Sequence, residues 1–172
     1  MVLAPIFKTI CDSLGTFIGW ATNLQPFFMG IIISVVVGVV LTLPISSAAI
    51  CAALNLTGLA GGAAVAGCCA QMVGFAVMSF RENKWGGLVS QGIGTSMLQM
   101  GNIVRNPRIW IAPIVTSAIT GPIATCLFRL QMNGTAVSSG MGTCGFVGQI
   151  GVYTGWMNDI AEGTKTAVTA MD

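Results

Sequence analysis

A long stretch without charge dominates the pattern of hydrophobic and polar positions in this chain. No charged residue occurs at positions 13–80. Within that stretch, residues 27–43 form a near-continuous run of large apolar side chains between Pro26 and Pro44. About 20 apolar residues suffice for a helix to cross a bilayer, and a proline cannot continue the helical hydrogen-bond ladder. The pattern therefore predicts a membrane-spanning helix at about 27–43.

The residues that follow change from large to small apolar side chains. Positions 45–80 are rich in alanine, glycine, serine and cysteine, and small residues let membrane helices approach one another closely. This stretch is too long for one crossing, and Asn55, Thr57 and the Gly61-Gly62 pair suggest a break within it. We predict a short helix at about 45–54 and a spanning helix at about 62–80, both facing protein rather than lipid.

Two later segments are uncharged but rich in glycine, at residues 85–104 and 131–157. Irregular backbone at membrane depth survives only where protein or a water-filled cavity surrounds it. We therefore predict re-entrant or broken helices for both segments, and a spanning helix at about 109–128 between them. A full crossing at 85–104 would also split four basic residues between the two sides of the membrane, although basic residues favour the cytoplasmic side. These residues are Arg81, Lys84, Arg105 and Arg108.

The two ends of the chain are more polar than its middle. Residues 1–23 have an amphipathic pattern, with Lys8 and Asp12 four positions apart, and are predicted to lie at the membrane interface. Residues 159–172 are polar and are predicted to leave the membrane. The chain is thus divided into an interfacial segment, a single membrane domain at 24–158 and a polar tail.

Composition assigns the chain to a class of proteins. Of its 172 residues, 54% are hydrophobic and 7% are charged, against about 25% charged in a soluble domain. The mean hydropathy is +0.84. So few charges cannot cover the surface of a soluble globule, and the net charge of +2 is too small for nucleic-acid binding. We predict an all-α fold, a polytopic bundle of helices in the plasma membrane.

The same composition offers little for catalysis. The chain contains no histidine, which is the commonest metal ligand and the usual general base near neutral pH. Its six cysteines show no C-x-x-C spacing and are predicted to be small packing residues. It has neither a P-loop nor two neighbouring acidic residues. No catalytic residue, metal site or cofactor is predicted.

Polar side chains within a membrane domain are the functional candidates, because leaving them buried and unpaired is costly. In a helix, Gln99, Asn102 and Arg105 would share one face, and amides match sugar hydroxyls because they both donate and accept. Glu82 would accept from a sugar, pair with Arg105, or form a surface ion pair with its neighbours. Alternatively, the amides only tie helices together. The predicted substrate-binding residues are Gln71, Glu82, Gln99, Asn102, Arg105 and Gln149.

A short sequence pattern occurs twice. Residues 92–96 (GIGTS) resemble residues 140–144 (GMGTC), and a glutamine follows each, at Gln99 and Gln149. Transporters are often built from repeats whose glycine-interrupted helices form the binding site. The repetition therefore favours a transport function.

Three segments also resemble a known family. They are residues 43–83 (LPISSAAICAALNLTGLAGGAAVAGCCAQMVGFAVMSFREN), 86–114 (GGLVSQGIGTSMLQMGNIVRNPRIWIAPI) and 140–151 (GMGTCGFVGQIG). They are similar to EIIC-like membrane proteins of the bacterial sugar phosphotransferase system, in the branch that includes the perfringolysin O regulatory protein. The resemblance implies a sugar-translocating subunit in a bacterial membrane, with phosphoryl-carrying EIIA and EIIB partners. Members of this family are longer, which implies a shortened or partial chain here.

Three functions remain open from the sequence. The first, which the resemblance favours, is an EIIC-like transport subunit that binds a sugar and carries it across the lipid bilayer. The second is a non-transporting regulatory or signalling membrane protein on the same fold, whose partner would contact residues 81–84 and 105–108. The third is a structural or channel-forming helical bundle. A homodimer is expected, because half-size transport modules often need a second copy to enclose a site.

Overall fold

Helices make up most of the described part of this chain. The computed structural model describes residues 3–22 and 25–163, and the β-pairing within them is an isolated antiparallel bridge between Gly58 and Met132. The α-helices are α1 (Leu3–Ala21), α2 (Pro26–Thr42), α3 (Ser47–Ala53), α4 (Gly58–Val89), α5 (Met100–Arg105), α6 (Ile111–Pro122), α7 (Ala136–Ser139) and α8 (Val147–Ala161). The all-helical prediction is confirmed for these residues.

Small residues hold α2, α4 and α6 together at a shared crossing. The hydroxyl of Ser34 donates to the carbonyl of Ser117 at 2.7 Å, and the hydroxyl of Ser117 donates to the carbonyl of Gly67 at 3.2 Å. A Cβ on Gly67 would lie 2.6 Å from the carbonyl carbon of Ser34, so only glycine permits this approach. A Cβ on Gly74 would contact Pro113, and α6 therefore runs antiparallel to α4.

The outer surface of α6 is more apolar than its buried face. The buried residues of α6 are Pro113, Ser117, Gly121 and Pro122. The exposed side chains along the opposite face of α6 and its π-helical continuation are Ile111, Val115, Ile119 and Ile123. Lipid tails solvate such a surface, and close packing of small residues holds membrane helices together. The helix is thus arranged as a membrane helix, with small and polar residues inside.

Among the described residues, two helical stretches are long and apolar enough to cross a membrane, Gly58–Gly94 and Pro107–Leu127, while Pro26–Thr42 is apolar but shorter. Their positions agree with the apolar runs at 27–43, 62–80 and 109–128. The predicted break is found at residues 54–57, between α3 and α4, and includes Asn55 and Thr57, whereas α4 continues through Gly61 and Gly62. A Cβ on Gly62 would collide with the carbonyl of Leu130. The missing side chain therefore serves a contact between distant segments.

The chain reverses its direction within α4, at Lys84, where φ is 50° and ψ is −140°. Trp85 packs edge-on against Phe80 across this point, with ring centroids 5.5 Å apart. The residues after Lys84 then run back along the part of α4 that precedes it, since a Cβ on Gly92 would lie 3.4 Å from Ala76. We call residues 85–105 the first hairpin. Its first arm ends in a π-turn, and its second arm contains a 3-10 turn and α5; their bounds are Ser90–Gly94, Ser96–Gln99 and Met100–Arg105.

The second glycine-rich segment also folds back on itself, through α7, a 3-10 turn (Cys144–Phe146) and α8. We call residues 130–161 the second hairpin. Near its tip, the hydroxyl of Thr143 donates to the carbonyl of Gly92 and lies 3.4 Å from the sulfur of Met72. The two hairpins therefore meet at their tips.

The two predicted ends of the chain are described only in part. Of the proposed interfacial segment at 1–23, the structure contains α1, whose Ile18 and Ala21 are buried and whose Trp20 is exposed. Residues 1–2, 23–24 and 164–172 lie outside the described residues. Helix α8 ends at Ala161, so the helix continues past residue 159, where the tail was predicted to begin.

Candidate functional site

Side chains from α4, the second arm of the first hairpin and the turn after α5 line a cavity of about 330 Å³, which we call the charged cavity. Glu82 and Arg105 give it opposite charges, and no ion pair joins these two residues in the described structure. Both groups are therefore available to a ligand. The lining residues are Phe75, Met78, Ser79, Glu82, Gln99, Asn102, Arg105, Asn106 and Ile109.

A second cavity, of about 400 Å³, lies on the other side of Gln99 and Asn102. We call it the neutral cavity, because amides, a hydroxyl, glycines and one leucine surround it, and none of these side chains carries a charge. The two cavities share Gln99 and Asn102 as their common wall. The lining residues are Asn83, Gly86, Gly87, Ser90, Gln91, Leu98, Gln99 and Asn102.

The shared wall is a pair of hydrogen-bonded amides. Asn102 Nδ2 donates to Gln99 Oε1 at 2.8 Å, and Gln99 is buried while Asn102 is exposed. This bond leaves the nitrogen of Gln99 as a donor and the oxygen of Asn102 as an acceptor, since an amide has two N–H donors and an oxygen with two lone pairs. The pair can therefore offer a donor and an acceptor to one ligand.

Another glutamine, Gln91 on the first arm of the first hairpin, has an amide oxygen without a hydrogen-bond partner. Gln91 is 4% exposed, and its Oε1 is buried without a hydrogen-bond partner. An unsatisfied buried acceptor costs about 1–3 kcal/mol. Nearby, Asn83 Nδ2 donates to Ser79 Oγ at 3.0 Å, which links a residue of the neutral cavity to one of the charged cavity. Polar groups thus continue from one cavity to the other.

Local backbone features place these side chains. A Cβ on Gly87 would lie 2.5 Å from Ser79 Oγ, so glycine lets the first arm approach α4. Thr95 is extended, and its hydroxyl accepts from the backbone N–H of Met97 at 3.2 Å, which starts the second arm. Asn106 is extended with φ −143°, as a residue before proline prefers, and ends α5 at the edge of the charged cavity.

Four of the six predicted binding residues line the charged cavity, and two lie elsewhere. Gln149 is exposed, and its Nε2 lies 3.3 Å from the Sγ of Cys69. Gln71 is fully buried, with both polar atoms of its amide unpartnered, and a Cβ on Gly38 of α2 would lie 2.8 Å from its Cγ. The four residues that the structure brings together are Glu82, Gln99, Asn102 and Arg105.

Three polar residues of the neutral cavity were not predicted as binding residues, namely Asn83, Ser90 and Gln91. The sequence signal available for them was the density of amides and hydroxyls beside glycines in residues 83–91. That composition alone does not indicate which way these side chains point. The reversal at Lys84 turns these side chains toward Gln99 and Asn102.

Other cavities among the described residues are more apolar or carry fewer polar groups. A groove of about 670 Å³ lies between α1 and α3, and another of about 600 Å³ lies between α4 and α6. No group of three potential metal ligands occurs in the described part of the chain. Cys51 and Cys68 are buried free thiols, as packing residues would be; the side chain of Cys11 lies outside the described residues.

The comparison with known families covers the chain almost from end to end. A family model described as "Phosphotransferase system, EIIC" matches residues 1–171. The matched residues include every element that lines the charged and neutral cavities. No curated protein and no solved structure matches the chain.

Proposed function

We propose, because this chain belongs to the EIIC family of the phosphotransferase system, that it binds a sugar in the charged and neutral cavities and carries it across the membrane. Family membership makes the chain a membrane component of a sugar phosphotransferase system, which works with EIIA and EIIB. The proposal adds the place of binding and the residues that contact the sugar.

The observation that carries this proposal is the shared wall of Gln99 and Asn102 between two polar cavities. Cavities of about 330 and 400 Å³ fall in the usual size range of small-molecule sites. Each sugar hydroxyl both donates and accepts, and the amides around these cavities do the same. Glu82 and Arg105 add an acceptor and a donor in the charged cavity. A monosaccharide could therefore satisfy its hydroxyls along the wall.

The charges support an orientation of the chain in the membrane. Glu82 and Arg105 line one cavity, so the basic residues next to them in sequence lie at the same end of the bundle. Basic residues favour the cytoplasmic side, and we assign this end to the cytoplasm, where an EIIB partner would meet the cavity. The first hairpin then enters the membrane from the cytoplasm and returns to it. The basic residues concerned are Arg81, Lys84, Arg105 and Arg108.

The proposal includes a multi-pass membrane domain at 24–158 and a homodimer. Exposed apolar residues of α6 would face lipid, while the groove between α4 and α6 would receive a helix of a second copy. Small residues line that groove, and they let helices pack closely. A monomeric mass in both detergent and lipid nanodiscs would remove the homodimer from the proposal. The small or hydroxyl residues of the groove are Ala66, Cys69, Ala70, Gly74, Ala112, Thr116 and Thr120.

The decisive experiment measures sugar binding by the purified full chain in detergent. A panel of sugars is screened by thermal shift, and the affinity of any stabilising sugar is then measured by titration, because a ligand that binds only the folded state raises stability. We expect Gln99→Ala and Asn102→Ala to weaken binding at least about tenfold, since each removes hydrogen bonds worth about 1–1.5 kcal/mol. The matched control is Gln131→Ala, an exposed glutamine beside Arg129 and away from both cavities.

Two results would overturn the proposal. One is a sugar that binds with unchanged affinity to both cavity variants while they remain folded. The other is a flat response of the wild-type chain to every sugar in both detergent and nanodiscs, which would favour the non-transporting regulatory protein. Retained binding by Gln131→Ala together with weakened binding by the cavity variants would support a sugar site at the shared wall.

A further inference from the structure

We infer that the first hairpin has a second position, in which the amide of Gln71 on α4 and the hydroxyl of Ser96 on the hairpin form a hydrogen bond with each other. This inference goes beyond the proposed sugar binding, because it concerns a movement of the fold itself and holds whichever ligand the two cavities bind. It assigns the two residues to a conformational switch.

Gln71 and Ser96 are buried without hydrogen-bond partners. Both side chains are 0% exposed, and neither the amide atoms of Gln71 nor the Oγ of Ser96 have a partner. An unpaired buried group destabilises the conformation that contains it, and buried polar groups in native proteins nearly always have a partner. An amide and a hydroxyl can each donate to the other. Their joint lack of partners therefore indicates a conformation in which they meet.

Packing places the two groups at one junction of the bundle. Gln71 faces α2, since a Cβ on Gly38 would lie 2.8 Å from its Cγ. Ser96 begins the 3-10 turn of the second arm, and this turn packs against both α2 and α4. The other unpaired oxygen of the hairpin, Gln91 Oε1, lines the neutral cavity, to which α2 contributes no residue. Ser96 is therefore the group on the hairpin that can reach Gln71.

The hairpin is the part of this junction that can move. A Cβ on Gly67 would lie 2.6 Å from the carbonyl carbon of Ser34, so α4 and α2 are packed too closely to slide past each other. By contrast, a Cβ on Gly92 would make an ordinary contact, 3.4 Å from Ala76, and one on Gly94 would have no heavy atom within 4 Å. The tip of the hairpin is thus loosely packed, and a shift along α4 is the movement that joins the pair.

The two positions respond differently to substitution. An apolar residue in place of Gln71 or Ser96 removes an unpaired group from the position described here, and it removes the hydrogen bond from the second position. Both effects favour the described position. Replacing both residues removes the same single hydrogen bond, so the balance between the two positions should change no further. A double-mutant cycle therefore distinguishes a pair from two independent groups.

The test measures exchange between the two positions in the full-length chain in detergent. Relaxation-dispersion NMR detects such exchange on the microsecond to millisecond timescale, and it is applied to the backbone amides of residues 92–96. In Gln71→Met and in Ser96→Ala, we expect the population of the second position to fall about tenfold, because each variant loses the hydrogen bond. The variant with both changes should show no further fall.

Thermal unfolding, followed by tryptophan fluorescence, gives a second readout. Gln71→Met and Ser96→Ala should each melt about 2–6 °C above the wild type, because each loses an unpaired buried group. Ser139→Ala is the matched control, since Ser139 is equally buried but donates to the carbonyl of Leu56 at 2.7 Å; it should melt below the wild type. Gln131→Met, at an exposed site, should change neither readout.

Three results would overturn the inference. One is the absence of exchange in the first hairpin of the wild-type chain. Another is a lower Tm in Ser96→Ala and Gln71→Met, which would mean that both groups already have partners, such as buried water. The third is a further tenfold fall of the exchanging population in the variant with both changes, which would mean that the two groups act independently.

Gln71→Leu takes the place of Gln71→Met in the cycle if the latter does not fold. No step of this test uses a sugar, so its failure leaves the proposed function standing. Failure of the chain to bind any sugar would overturn the proposed function and leave this inference standing.

Discussion

Replacing Gly67 by alanine tests the crossing of α2, α4 and α6. The added Cβ would lie 2.6 Å from the carbonyl carbon of Ser34 and nearer still to its oxygen, whereas carbon atoms in contact prefer about 3.5–4.0 Å. The helices must therefore separate by about 1 Å. That displacement also stretches the hydrogen bonds from Ser34 to Ser117 and from Ser117 to Gly67.

The expected cost follows from these contacts. Overpacking of a filled core costs about 1–3 kcal/mol, and a hydrogen bond inside a membrane protein contributes about 0.6 kcal/mol. The higher helix propensity of alanine offsets about 1 kcal/mol. We therefore expect Gly67→Ala to lower the free energy of unfolding by about 1–3 kcal/mol. For a chain of this length, the Tm should fall by about 2–12 °C.

Tryptophan fluorescence during heating, in one detergent and at one scan rate, measures this change. The matched control is Gly101→Ala in α5, because no heavy atom lies within 4 Å of the Cβ that it adds. The control should melt at the wild-type temperature or slightly above it, since alanine favours the helix. A Gly67→Ala chain that melts as high as the control would refute the argument that glycine is required at this crossing.

Three further changes test other parts of the chain. Lys84→Gly should raise the Tm by about 2–4 °C, because glycine adopts a φ of 50° and a ψ of −140° at little cost; a fall in the Tm would contradict this. Thr143→Val removes the hydroxyl that donates to Gly92 and should cost about 1–3 kcal/mol, whereas Thr143→Ser should cost less; equal melting of the two variants would argue against the hydrogen bond. In single-cysteine variants, a small maleimide should modify exposed Cys126 at least about tenfold faster than Cys51, because burial raises the pKa of the Cys51 thiol to about 12; similar rates would show that Cys51 is accessible.

A continuous apolar run between two prolines was sufficient to predict α2, and a second apolar run at 109–128 was sufficient to predict the stretch Pro107–Leu127. Large apolar side chains make up most of both helices, buried in the core along α2 and exposed along α6, so their local composition carries the signal. Asn55 and Thr57 lie in the predicted break before α4, whereas the Gly61-Gly62 pair lies inside that helix. A glycine that breaks a helix and a glycine that receives a distant backbone look alike in sequence. The carbonyl of Leu130, far along the chain, distinguishes the two cases.

The candidate site was predictable to the extent that its residues follow one helical period. Gln99, Asn102 and Arg105 share a face because their spacing matches α5 and the turn before it. Glu82 joins them through the reversal at Lys84. A re-entrant segment was predicted to begin beside this residue, but nothing in the sequence indicated a positive φ at a lysine. Gln91 depends on the same reversal, and so the neutral cavity was not foreseen.

The repeated Gly-x-Gly-Thr pattern has a structural counterpart. Helices α4 and α6 run antiparallel, and each is followed by a hairpin that folds back along the bundle. A basic residue with a positive φ stands where each reversal begins, Lys84 with 50° and Arg129 with 47°. The hairpins therefore enter from opposite ends.

Their tips meet where the hydroxyl of Thr143, in the second copy of the pattern, donates to the carbonyl of Gly92, in the first copy. Close approach explains Gly142 at this junction, since a Cβ on this residue would lie 2.7 Å from that of Cys68. Irregular backbone is tolerated at membrane depth only when protein or a water-filled cavity surrounds it. In the proposed membrane topology, each tip would supply that protein environment for the other, so neither glycine-rich segment would need to be a continuous apolar helix.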